Sequence, residues 1–170
     1  MTGVQTCALP ISVLVLVYPR SGDVAEPPEA GLAARRFPRS HRSDLEFTAL
    51  RETEEELGIP AAHVRILGAL GEVATLGGSF RITPYVGLLP YEPVFRPQPG
   101  EVATVIEVSL AHLQNPRIFG EVERQVGGIA LKVLSCDLGG YRIIGPTAQA
   151  VKAFLATDYP AAATRALYSV

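Results

Sequence analysis

Cysteine is scarce in this sequence. Cys7 and Cys136 are the only two, and neither belongs to a Cys-x-x-Cys pair. That removes support for a disulfide scaffold or a cysteine-rich zinc site. Histidine is nearly as rare, and His41, His63 and His112 are too scattered to form a ligand cluster by themselves; each reads as a surface or satisfied residue. Excess charge is lacking too. The 15 Lys and Arg against 17 Asp and Glu leave a formal net charge of −2, which exerts no bulk pull toward nucleic acid or a membrane surface. No apolar run approaches the roughly 18 residues of a membrane span, and there is no internal repeat. A soluble protein of cytoplasmic type is expected, with neither nucleic acid nor membrane as partner.

What is present suffices for a core. Of the 170 residues, 48% are hydrophobic, a length and composition that favour one domain. The opening "MTGVQTCALPISVLVLVY" is mostly apolar from Ala8 to Val17, but it lacks a basic leading region and a small-residue cleavage site. Thr2 to Ile11 resembles a translated sequencing-library adapter, so residues 1–11 are read as a non-native leader. The β-branched run that follows predicts a buried strand over Val13–Tyr18. A single domain is expected over 12–158, with an irregular loop at 20–43 and a C-terminal tail at 159–170. Further strands are predicted at His63–Glu72, Phe80–Leu89, Glu101–Leu110, Gly128–Val133 and Tyr141–Ile144. A short helix is predicted at Ser109–Gln114. A closing helix begins at Pro146, with Ala148, Val151, Phe154 and Leu155 on its apolar face. Helices interrupting strands of mixed order imply an α/β sandwich with a mixed sheet.

The clearest helix is Asp44–Leu57. Ser43 and Glu46 form a capping box, Gly58 suits the left-handed position after the last turn, and Pro60 blocks continuation. It ends in "RETEEELGIP". At about 100° per residue, Glu52, Glu55 and Glu56 fall on one edge, with Leu50 and Leu57 opposite, flanked by Phe47. Glu54 points away and reads as solvated. The edge is electrostatically awkward. Glu52 and Glu56 are a like-charge pair costing about 0.2–0.5 kcal/mol, and the negative helix end adds about 0.3–1 kcal/mol at Glu55 and Glu56. Arg51 offers the local compensation. Either this is an ordinary charged face with one Arg51–Glu55 pair, or a divalent cation makes it a site, since Mg²⁺ prefers oxygen ligands.

Arg51-Glu52-Thr53-Glu54-Glu55-Glu56-Leu57-Gly58-Ile59 resembles the second half of the Nudix box. The resemblance implies a Nudix-type α/β/α sandwich that hydrolyses nucleoside diphosphates linked to another group, using Mg²⁺ or Mn²⁺. It implies Glu52, Glu55 and Glu56 as metal ligands, with Arg51 orienting a glutamate. Glu101, at the head of its predicted strand, would be an extra ligand or the base. "FRITPYVGLLP", "EVATVIEVSLAHL" and "YRIIGPTAQAVKAFL" are similar to landmarks of the coenzyme A pyrophosphatases, which release 3′,5′-ADP and 4′-phosphopantetheine. The partner implied is thus a small nucleotide diphosphate substrate, and a homodimer is an assembly the family allows. ADP-ribose or a dinucleotide is the alternative substrate.

The front half of the box departs from the pattern. Its earlier glutamate position falls on Ser43 and its glycine on Phe37, and "FPRS" stands where the coenzyme A branch has "FPGG". Arg39 and Arg42, with Arg35 and Arg36, are candidates to grip substrate phosphates; otherwise they form a solvated basic loop. The departure fits a diverged module that binds without hydrolysing. It also fits a shifted reading frame across Val24 to Arg42.

Overall fold

The computed structural model describes residues 2–4, 12–20, 44–75 and 81–168. In chain order the elements are β1 (Thr2–Val4), β2 (Ser12–Val17), α1 (Asp44–Leu57), β3 (Arg65–Ala69), β4 (Val73–Ala74), β5 (Arg81–Leu88), β6 (Glu107–Val108), α2 (Leu110–Leu113), β7 (Phe119–Val126), β8 (Ile129–Asp137), β9 (Arg142–Ile144), α3 (Pro146–Leu155) and α4 (Tyr159–Tyr168). Short 3₁₀ turns occupy Ala61–His63 and Pro116–Ile118.

The larger sheet runs β3-β5-β2-β1-β6, with β4 also paired to β5. Strands β2 and β5 are parallel, whereas the other pairings in this sheet are antiparallel. The sheet is therefore mixed, as expected. Register explains how one apolar run serves two faces. Successive strand residues point to opposite sides, and β2 sets Leu14 beside Tyr85 and Val15 beside Val86. Leu14, Leu16, Tyr18 and Tyr85 pack with Ala49, Leu50 and Leu57 of α1. On the other side, Val15, Val17, Val86 and Leu88 pack with Ala148, Val151 and Phe154 of α3 and Ala163 of α4. Helices cover both faces, giving a mixed α/β sandwich. Each fully buried Val, Leu or Phe here contributes about 1.5–3 kcal/mol.

Several expectations are corrected. The strand predicted over Glu101–Leu110 shrinks to Glu107–Val108; Glu101 lies on an exposed turn. The strand predicted from His63 starts at Arg65, because a 3₁₀ turn takes up Ala61–His63. Strand β7 was not foreseen. This largely exposed, charged stretch forms a long antiparallel hairpin with β8, which pairs in turn with β9. Residues 159–170, expected as a tail, include α4. Its Ala163 is fully buried, and Tyr159 lies over Gly68 of β3 so closely that a Cβ there would be 1.9 Å from the tyrosine hydroxyl. Phe47 does not flank the packing face of α1 and is 59% exposed. The buried stripe is Ala49, Leu50, Thr53, Glu56 and Leu57, and at about 100° per residue Phe47 lies beyond its edge.

Ser43, Phe37, Arg39 and Arg42 lie outside the described residues, and so does most of the irregular loop. Among the described residues, no helix is long and apolar enough to cross a membrane.

Candidate metal and diphosphate site

Helix α1 ends as its sequence predicts. Gly58 takes φ +69°, and its N–H donates to the Glu54 carbonyl at 3.0 Å. Ile59 folds under the last turn, 2% exposed. No basic residue occupies that last turn, so its negative dipole end is uncompensated from within the helix.

The last carbonyls of a helix lack intrahelical partners. Here the proline-spaced segment after β5 supplies two. The Arg96 N–H donates to the Leu57 carbonyl and the Gln98 N–H donates to the Glu56 carbonyl, each at 2.8 Å. This strap then turns: the N–H groups of Glu101 and Val102 donate to the Gln98 carbonyl at 3.2 and 3.1 Å. Glu101 is thereby tied, through Gln98, to the helix end that carries the glutamates. Its carboxylate is not part of a strand edge, as had been expected, and the residue is exposed.

The glutamates divide by environment. The Arg51 guanidinium donates to both Glu52 and Glu55, one nitrogen to each carboxylate. Its bond to Glu55 and the charge of Glu52 hold it above the ordinary arginine range. Glu56 does not share that exposed edge; it turns into the protein and is 3% exposed. Glu54, read from the sequence as a bystander, accepts a hydrogen bond from the Ala61 N–H at 3.0 Å and so holds the 3₁₀ turn to α1. The ring of His63 on that turn in turn meets the Tyr91 hydroxyl at the start of the strap.

Strap residues Arg96 and Gln98 were not singled out from the sequence. The available signal was the spacing of Pro93, Pro97 and Pro99 beside an acidic helix end. Proline fixes φ and removes a donor, which favours an extended segment that must bond outward. Cys136 is fully buried, and burial pushes its thiol up to about 11, so it packs rather than reacts.

The donor set fits a hard divalent cation in kind, because three carboxylates in five positions offer only oxygen. A positive group already bridges two of them: the Arg51 guanidinium stands where such charge is wanted. Among the described residues, no three His, Cys, Asp or Glu side chains are grouped so as to hold an ion.

No family model matches the chain. Over part of its length it is similar to curated proteins named as uncharacterized Nudix hydrolases NudL. The Photorhabdus laumondii protein is 39% identical over 90 residues, covering 53% of this chain and 41% of that one. The Pectobacterium atrosepticum protein is 39% identical over 101 residues, 56% of this chain and 50% of its own. The Yersinia enterocolitica protein is 46% identical over 68 residues, 40% of this chain and 34% of its own. The chain thus spans half or less of the length of these relatives. The similarity is to proteins named as Nudix hydrolases, over part of each chain, and it supports the Nudix family.

Proposed function

We propose that this protein hydrolyses the diphosphate linkage of coenzyme A, giving 3′,5′-ADP and 4′-phosphopantetheine. The observation that supports this most is the "RETEEELGI" segment at the end of α1, where Arg51 bridges Glu52 and Glu55. The apolar segments around Ile82–Leu89 and Ile143–Leu155 carry the coenzyme A assignment by their resemblance to that branch.

In this reading Glu52, Glu55 and Glu56 would hold Mg²⁺ or Mn²⁺, which requires Glu56 to leave the buried position it takes here. The ion, when bound, supplies neutralisation of the diphosphate and a water of lowered pKa. Arg51 fixes the rotamers of Glu52 and Glu55 and limits their mutual repulsion. Glu101 accepts the proton as a water oxygen adds to one phosphorus and the bridging P–O bond breaks. The second phosphate leaves as an anion. Arg39 and Arg42 contact the substrate phosphates. The enzyme works in the cytoplasm.

The test is incubation of the purified protein with Mg²⁺ or Mn²⁺ and a panel of coenzyme A, ADP-ribose and dinucleotides, with products resolved by chromatography. Coenzyme A should be consumed, and Glu55→Gln and Glu56→Gln should each abolish turnover. Full activity in both variants would remove the metal-ligand assignment, and preference for ADP-ribose would remove the substrate.

A second reading is favoured by Ser43 and Phe37 standing at the box glutamate and glycine positions. It is a module on the same fold that binds a nucleotide without hydrolysing it. Measurable binding with no product from any substrate would select it.

A further inference from the structure

A diphosphate approaching the end of α1 meets the exposed carboxylates of Glu52 and Glu55 and the negative end of the helix dipole. It requires positive charge there beyond a single cation. Arg51 is on the spot, but Glu52 and Glu55 already engage it.

The strap supplies another. Its backbone is bonded to the last carbonyls of α1 at Arg96 and Gln98. The Cβ and Cγ of Arg96 lie over Gly58, within 2.9 and 3.6 Å of where a Cβ on that glycine would be. Both the main chain and the root of this side chain are therefore registered against the helix end. Arg96 is exposed and, among the described residues, its guanidinium enters no ion pair or side-chain hydrogen bond.

We propose that Arg96 is a substrate-binding residue that takes a phosphate of the diphosphate at the end of α1. This rests on the diphosphate reading above. A planar guanidinium matches two phosphate oxygens at once, which an ammonium does not. A root held against Gly58 lowers the entropy lost when that contact forms. Arg96 thus selects for a diphosphate over an uncharged linkage, and it acts on binding.

The test is calorimetric titration of the whole chain with inorganic pyrophosphate in Mg²⁺, alongside kinetics on coenzyme A. Arg96→Gln should weaken pyrophosphate by about tenfold, the size of one lost charge-assisted contact, and raise KM with kcat little changed. Arg96→Lys should fall between. Arg124→Gln, on the exposed face of β7, serves as control and should match the wild type. If the wild type hydrolyses coenzyme A but Arg96→Gln binds pyrophosphate normally, the Arg96 assignment is overturned and the hydrolase reading stands. If nothing is hydrolysed but Arg96→Gln still loses pyrophosphate, the assignment stands and the hydrolase reading falls. A wild type that neither binds pyrophosphate nor turns over overturns both.

Discussion

Arg96 rests on Gly58: a Cβ built on the glycine would come within 2.9 Å of the arginine's own Cβ. The two residues join the Pro-rich strap to the end of α1, and both features of the glycine are needed. Its φ of +69° is one that side chains rarely adopt, and its bare face admits the neighbour.

Gly58→Ala should consequently act twice. The left-handed conformation costs about 1–3 kcal/mol for a non-glycine residue, and the strap must also move. Urea unfolding should show the loss as a lower midpoint with unchanged slope. Amide exchange at Arg96 and Gln98 should accelerate, because their bonds to the α1 carbonyls would lengthen. Protection equal to wild type would show that the strap is held elsewhere.

Arg51→Ala leaves Glu52 and Glu55 without their shared partner. On the proposed chemistry the helix should persist, as Arg51 is exposed, while turnover falls about 10–100-fold, the usual effect of losing a residue that orients ligands. Circular dichroism and steady-state kinetics on the same preparation would separate the two effects. Unchanged kcat would make Arg51 a surface charge only.

Gly68→Ala should loosen α4. The added methyl would sit 1.9 Å from the Tyr159 hydroxyl and 2.8 Å from its Cζ, so the ring must leave. Overpacking of this kind typically costs about 1–3 kcal/mol. Limited proteolysis should then cut between α3 and α4, at Ala156 to Asp158, sooner than in the wild type. Equal resistance would mean that the ring rotates away without cost.

Asp137 sets an acid-side pH dependence. The Gly139 N–H, donating at 3.0 Å, and the Arg142 guanidinium hold its carboxyl below the ordinary range. A depressed folded value means the contribution is present above the ordinary carboxylate range and is lost as pH falls through the folded value. Asp137→Asn keeps an acceptor but no charge. Its deficit in unfolding midpoint against the wild type should be largest near neutral pH and shrink in acid. A deficit independent of pH would assign the effect to shape.

Legibility followed the range of the forces involved. The span of α1 and its glycine stop were readable because caps and periodicity act within a few residues. Strand β2 was readable because an unbroken apolar run rich in β-branched residues must be buried. Strand β7 was not: "FGEVERQV" has little apolar periodicity, and only its partner β8 makes it a strand. Glu101 was misplaced onto a strand for the converse reason, since the pattern over Glu101–Leu110 suited a sheet edge but the strap's turn at Gln98 claimed its first residues. Helix α4 escaped notice because alanine-rich text such as "PAAATRAL" shows a small apolar face, and burial of Ala163 depends on α3 and the sheet.

By itself the sequence determined that α1 would end in a crowd of carboxylates beside Arg51, and that β2 would be covered on both sides. Those follow from local propensity, spacing and hydrophobicity, which need no distant partner. Only the tertiary structure decided how the carboxylates divide, with Glu56 buried, Glu52 and Glu55 shared by Arg51, and Glu54 spent on the Ala61 N–H. It also decided that a segment some forty residues away would close the helix end and bring Arg96 to it. Unpaired helix carbonyls must find donors from wherever the chain can bring them, and that choice is made by packing rather than by neighbours in sequence.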